Sequence, residues 1–306
     1  MGASLVGTEE TSGPLDGSAP QGRFCPSEAT GGQVLTDYSQ AEFTHDGVTR
    51  RVFRSGSGPA VIVIAEMPGI SPKVVEFADR VAALGCTVVL PVLFGEPGLD
   101  ITEMPRVKGA AHLVKTLGGA CVAKEFTVWT LGETSPIVSW LRALAAHEHE
   151  VCGGPGVGAV GMCFTGGYAL AMAADDRLVA PVLSQPSMPI ALGKARRAAL
   201  DISASDLAKV KARAERGDLE VLGLRFCGDR MAPGDRFRTL ERELGDAFIG
   251  VEIEDQYANK ASELPPHSVL TEHLIDEPGQ PTRIALDQVL DLFRRKLLGA
   301  ESTADS

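Results

Sequence analysis

The apolar positions of this chain fall into two kinds of run. Short, β-branched stretches are apolar without alternation: Ala60–Ala65, Thr87–Val92, Val157–Met162 and Val179–Leu183. A strand that is apolar on both faces is one covered on both sides by helices, as in a parallel sheet. Glu220–Phe226 and Ile249–Ile253 read as two later strands. Between the strands lie stripes at helical spacing. Ser71-Pro72 supplies an N-cap and first-turn pair, Val74, Phe77, Ala78 and Val81 make the stripe, and Gly85 stops it. Ser135-Pro136 opens a second helix with Ile137, Trp140, Leu141 and Leu144 on one face, and Leu286, Val289, Leu290, Phe293 and Leu297 mark a third near the C-terminus. Strand–helix alternation without an internal repeat predicts an α/β fold: a mostly parallel, doubly wound sheet flanked by helices. Residues 1–34, rich in Gly, Ser, Thr, Pro and Glu, read as a disordered or loosely attached leader, 300–306 as a tail, and 35–299 as a single domain.

Charge narrows the function classes. The 306 residues carry 29 Lys and Arg against 40 Asp and Glu, a net charge of −11. That balance argues against nucleic acid as a partner, since phosphate-backbone binding rests on clustered cations. The densest basic stretch, Lys194 to Arg213, is interrupted by Asp201 and Asp206 and reads as a solvated helix face. No window has the length and apolarity of a membrane span. Residues 1–18 lack the basic and apolar regions of a secretory signal, and Val6 stands where a myristoylation motif needs Ser or Thr. Six scattered cysteines (Cys25, Cys86, Cys121, Cys152, Cys163 and Cys227) contain no CxxC pair. This is the usage of a reducing cytoplasm, not of a disulfide framework.

The chemistry concentrates at Gly161-Met162-Cys163-Phe164-Thr165-Gly166-Gly167, where an apolar strand ends and a helical pattern begins at once. A nucleophile on such a turn needs small neighbours, which Gly161, Gly166 and Gly167 provide. The turn lifts the sulfur above the C-terminal edge of the sheet, and the helix N-terminus behind it favours the thiolate. The Phe164 amide is placed to donate to a developing oxyanion. The competing interpretation of Cys163 is a small buried hydrophobe beside a glycine turn.

A thiol nucleophile requires a base and a group to orient it. After Cys163 the chain holds two histidines, His267 and His273. Asp229 follows the strand Glu220–Phe226, and His267 lies in the loop after the next strand, matching the order nucleophile, acid, histidine of α/β-hydrolases. His273, in a more helix-like context, is the weaker base, and Asp235 reads as a helix N-cap rather than the acid. His147 and His149 read as the polar end of a helix, and neither a metal site nor a cofactor is expected.

Gly161-Met162-Cys163-Phe164-Thr165-Gly166-Gly167, Gly228-Asp229-Arg230-Met231-Ala232-Pro233 and Pro266-His267-Ser268 together resemble the dienelactone hydrolase family. The likeness extends to Ile64-Ala65-Glu66-Met67-Pro68-Gly69 and covers roughly residues 36–298. The resemblance implies an α/β-hydrolase fold with a Cys163, His267 and Asp229 triad. It implies that Glu66 contacts the resting cysteine and helps generate the thiolate, and that the Met67 amide joins Phe164 in the oxyanion hole. The implied activity is hydrolysis of a small ester or lactone through an acyl-thioester.

Two departures stand out. Thr165 replaces the family's usual glycine two residues after the cysteine, which predicts a crowded turn. The arginines of the family's carboxylate trap are replaced around Phe94-Gly95-Glu96 and at Val269-Leu270-Thr271, which predicts a preference for neutral substrates over anionic ones. Arg106 or Lys108 are candidates to restore that trap, and Gly95–Phe126, with Glu125 and Trp129 nearby, is the candidate lid. A non-hydrolytic thiol protein, redox-active or ligand-binding, is the alternative; it requires a resolving cysteine beside Cys163.

Overall fold

The computed structural model describes residues 23–26, 35–99, 132–187, 193–262 and 264–299. The part of the expected lid from residue 100 to 126, with Arg106, Lys108, Cys121 and Glu125, lies outside the described residues, as does Trp129.

Among the described residues nine strands form one sheet: β1 (Arg23–Pro26), β2 (Ser39–His45), β3 (Val48–Gly56), β4 (Ala60–Ile64), β5 (Thr87–Pro91), β6 (Val157–Met162), β7 (Leu178–Ser184), β8 (Val221–Phe226) and β9 (Phe248–Ile253). Their order is β1-β2-β3-β5-β4-β6-β7-β8-β9. Everything from β5 to β9 pairs parallel, and β1, β2 and β3 add an antiparallel extension through the β3–β5 contact. The six expected strands match β4 to β9 within a residue at each end. The first three strands were not anticipated. Arg23–Pro26 lies inside the segment read as a loose leader, yet it pairs with β2 as the sheet's edge. β2 and β3 form a hairpin closed by Asp46-Gly47, both at positive φ, a two-residue turn that twists with its strands.

Helices α1 (Pro72–Ala83), α2 (Pro136–Cys152), α3 (Gly166–Met172), α4 (Lys194–Ala198), α5 (Ala204–Glu215), α6 (Gly234–Leu244) and α7 (Pro281–Leu298) cover the two faces. The uninterrupted apolar run in β4 has a simple cause. Ala60, Ile62 and Ile64 pack with α2, α3, α5 and α6, whereas Val61 and Val63 pack with α1 and α7. Both faces are dry, so neither set can be polar.

The punctuation holds in part. Ser71 caps α1 by accepting from the Val74 amide at 3.3 Å, but the Ser135 side chain makes no such bond to α2. The Lys194–Arg213 stretch is two helices rather than one solvated face. Arg213 is buried and donates to the carbonyls of Ala173, Asp175 and Leu178 at 2.8–2.9 Å, satisfying acceptors left open beyond the end of α3. Asp206 is buried too, held by Arg142 at 2.9 Å and Thr134 at 2.7 Å. No described helix is long and apolar enough to cross a membrane.

Candidate active site

Strand register delivers the site to one sheet edge. β4 pairs Ile64 with Gly161 of β6, so Glu66 and Cys163 each lie two residues past that pair. β7 and β8 continue the same edge to Gln185 and Asp229, since Met162 is level with Ser184 and Ser184 with Leu224. Residues far apart in sequence therefore converge where parallel strands end, the usual place for a site in such sheets.

Cys163 opens a single 3-10 turn between β6 and α3, with φ at +55°. A left-handed conformation at a non-glycine residue costs about 1–3 kcal/mol and persists only where surroundings enforce it. Here they do. A Cβ on Gly161 would lie 2.1 Å from the Thr165 carbonyl oxygen, and one on Gly166 would lie 2.7 Å from Pro186. Thr165 does not crowd the turn as its size suggested. It is fully buried in an ordinary conformation, and its hydroxyl accepts from the Met162 amide at 2.8 Å while lying 2.8 Å from the Ile64 carbonyl. One side chain thus pins the ends of β4 and β6 together.

The triad residues expected from sequence come together. His267 Nδ1 lies 2.6 Å from Asp229 Oδ2, with both side chains buried. The other oxygen of Asp229 accepts from the amides of Met231 at 2.8 Å and Ala232 at 3.2 Å. Burial alone would raise the Asp229 pKa, but the His267 bond and charge and the two amides outweigh it and hold it below the usual value. For His267 burial acts downward, and the Cys163 charge together with Asp229 reverses it, keeping the imidazole well above 6.5. His267 Nε2 is buried without a well-formed hydrogen bond among the described residues, yet the ring is close enough to Cys163 to feel its charge.

His273 is not a second base. It is 1% exposed, its Nδ1 accepts from the amides of His267 at 3.4 Å and Ser268 at 3.2 Å, and Nε2 lies 3.1 Å from the Leu264 carbonyl. Burial pulls its pKa below 6.5. A neutral ring with Nε2 protonated satisfies every one of these contacts, so His273 shapes the loop that carries His267.

The expected contact between Glu66 and Cys163 is absent. Glu66 instead accepts from Ser268 Oγ at 2.7 Å, Thr271 Oγ1 at 2.5 Å and Gln185 Nε2 at 3.3 Å. Thr271 stands in the stretch where the resemblance implied an arginine, and its hydroxyl reaches the glutamate. Gln185, fully buried at φ +36°, also takes the Val269 amide on Oε1 at 3.2 Å and is bonded by Ser184. Glu66 is thereby tied to the histidine loop. The cysteine has another neighbour: Ser187 Oγ lies 3.0 Å from Sγ, and the Ser187 amide donates to the Cys163 carbonyl at 3.0 Å.

Sequence reasoning missed Ser187, Gln185 and Arg236. Arg236, on α6, is 2% exposed, donates to the Pro186 carbonyl at 2.9 Å, and shares an electrostatic interaction with Cys163. Nothing local marks these three; only the position of Gln185-Pro186-Ser187 just after β7 hints that Gln185 and Ser187 reach the edge. Asp235 is not an N-cap: Pro233 takes that position, and Asp235 pairs with Arg197 at 2.7 Å and Arg238 at 2.5 Å. Glu96 points largely to solvent and lies 3.6 Å from Arg51, which offsets its charge. Among the described residues no group of three or more His, Cys, Asp or Glu side chains is placed to hold a metal ion.

A mostly parallel sheet with a residue at positive φ on a strand-to-helix turn, followed in order by an acid and a histidine bonded to it, defines an α/β-hydrolase. The dienelactone hydrolase family model matches residues 49–204, and the chain belongs to that family, whose class is carboxylic ester hydrolysis. Among solved structures, a dienelactone hydrolase from Anabaena variabilis superposes with a TM-score of 0.51 at 17% identity, covering 85% of this chain and 99% of its own. A dienelactone hydrolase-like promiscuous phosphotriesterase from metagenomic libraries gives 0.55 at 15% identity, covering 85% and 98%. A 2,6-dihydroxy-pseudo-oxynicotine hydrolase gives 0.51 at 15%, covering 88% and 70%. These likenesses concern the fold. No curated protein matches the chain.

Proposed function

We propose that the chain hydrolyses a small ester or lactone with Cys163 as nucleophile. The observation that carries this reading is the buried 2.6 Å His267–Asp229 bond beside a cysteine held at φ +55° on the sheet edge. The Cys163 thiolate, paired with a protonated His267, attacks the substrate carbonyl. The amides of Phe164 and Met67 hold the oxyanion; a single such donor contributes about 3–4 kcal/mol to the transition state. The tetrahedral adduct collapses to a thioester, and the leaving alkoxide takes the His267 proton. His267, now neutral and oriented by Asp229, removes a proton from water, which attacks the thioester. Collapse releases the acid and returns thiolate and imidazolium.

In this reading Ser187 donates to the thiolate, and Glu66 acts as a positioning residue that holds the His267 loop through Ser268 and Thr271. A free, nucleophilic thiol suits a reducing cytoplasm. The thiol-redox alternative needs a second cysteine at Cys163; among the described residues the hydrogen-bonding neighbour of its sulfur is Ser187. With Val269-Leu270-Thr271 in place of one trap arginine and Arg51 already paired with Glu96 at 3.6 Å, neutral esters are the favoured substrates.

The test is acid-quench mass spectrometry during turnover of 4-nitrophenyl acetate. An acetyl group on the Cys163 peptide, lost with time in the parent and persisting in His267→Ala, is the expected result. Full turnover by Cys163→Ala would end the proposal.

A further inference from the structure

A polar cavity of about 320 Å³ is bordered by the acid loop. Its walls carry Arg197, Arg225, Arg230 and Arg238, with Asp229 and Glu252, and include neither Cys163 nor His267. Four guanidiniums around one cavity are conspicuous in a chain of net charge −11. We infer that this cavity binds a phosphate-bearing small molecule, at a site separate from the acyl site.

The arginines are held in place rather than loose. Arg225 is buried and donates through Nε to the Ala232 carbonyl at 2.7 Å, through Nη2 to the Cys227 carbonyl at 2.8 Å, and through Nη1 to Glu252. Three of its five N–H groups are used there, leaving two. Asp235 grips Arg197 and Arg238 with one oxygen each, at 2.7 and 2.5 Å. These anions orient the guanidiniums from behind and leave further donors on each. Arg230, exposed on the acid loop, makes no hydrogen bond or ion pair among the described residues. The guanidiniums also converge: a Cβ on Gly234 would lie 3.3 Å from both Arg225 Nη1 and Arg238 Nη1. Glycine keeps that meeting point open.

The chemistry selects the ligand class. Planar guanidinium forks match the paired oxygens of phosphate, and a dianion can use more of them than a monocarboxylate can. The volume accommodates a phosphate with a small organic body. The Gly228–Asp229 turn forms one wall, so occupancy lies directly against the residue that orients His267.

Isothermal titration calorimetry on the full chain, in low-chloride buffer, tests this with inorganic phosphate, phenyl phosphate and benzoate. Saturable binding of phenyl phosphate is expected, at least tenfold tighter than benzoate and at least tenfold weaker in Arg230→Ala and in Arg238→Ala. Equal affinity for inorganic phosphate supports a site for the free ion; tighter binding of phenyl phosphate supports a phosphorylated metabolite. Cys163→Ala is expected to bind as the parent does, whether or not the cysteine proves catalytic. No saturable binding of either phosphate, binding unchanged in both arginine variants, benzoate as tight as phenyl phosphate, or loss of binding in Cys163→Ala would each overturn the inference.

Discussion

At the scale of single residues, environment separates chemically identical groups. Cys86 is buried, and desolvation pushes its thiol to about 11; burial and nearby carboxylates also raise Cys227, although that residue is exposed. Cys163 sits half-buried on its turn beside Ser187, within reach of the His267 ring. Since the thiolate is the reactive form, iodoacetamide at neutral pH is expected to label Cys163 before Cys86, Cys152 and Cys227, with esterase loss tracking that one site by peptide mass spectrometry. The two histidines diverge in the same way. Burial lowers the His267 pKa, and interaction with Cys163 and Asp229 raises it above the ordinary value. Cys163→Ser removes the cysteine charge, so the imidazole pKa of His267 falls, measurable by NMR titration of the ring; an unchanged value would break the proposed pairing. His273, buried and with its pKa lowered, satisfies two amides of the loop that carries His267. Replacing it with Ala strands those amides at about 1–3 kcal/mol, so a lower urea midpoint together with a reduced kcat is expected.

At the scale of elements, the β6–α3 turn was legible in sequence because its requirements are local. Small residues had to flank the cysteine, and Gly161 and Gly166 mark where backbones touch. Gly161→Ala places a methyl against a carbonyl oxygen that belongs to the turn itself. Overpacking of that kind costs about 1–3 kcal/mol, and circular-dichroism melts are expected to show the loss along with a fall in kcat/KM that comes mainly from kcat. Other elements were hidden for physical reasons. The β2–β3 hairpin is only partly buried, so its apolar pattern is weak, although Asp46-Gly47 is a turn signal in plain view. The face of α5 looked solvated because charge alone does not reveal where a guanidinium ends up. Arg213 is buried because carbonyls beyond the end of α3 need donors, and those carbonyls come from a different part of the chain.

At the scale of the whole molecule, the ionised carboxylates set an acid limit. Asp206, Asp229, Asp235, Glu243 and Asp276 all have folded pKa values below their ordinary ones of 3.8 or 4.5. Each contributes stability above its ordinary value and loses it as pH falls through the depressed one. Glu148 and Asp201, raised by burial, act in the opposite sense. With five groups against two, the urea midpoint is expected to fall as pH drops below about 4, a trend that denaturation curves from pH 7 to 3 would reveal or refute. His267, with its raised pKa, adds stability below its ordinary 6.5 that is lost as pH climbs through the folded value.

The chain by itself determined the doubly covered strands, the glycine-flanked cysteine turn and the order of acid and histidine, because period, turn chemistry and chain order are properties of contiguous residues. Only the tertiary structure decided that Glu66 grips the His267 loop, that Ser187 lies against the sulfur, that Thr165 ties two strands and that four arginines share a cavity. Those facts depend on register between strands distant in sequence and on which buried polar group finds which partner, and a linear pattern carries no record of either.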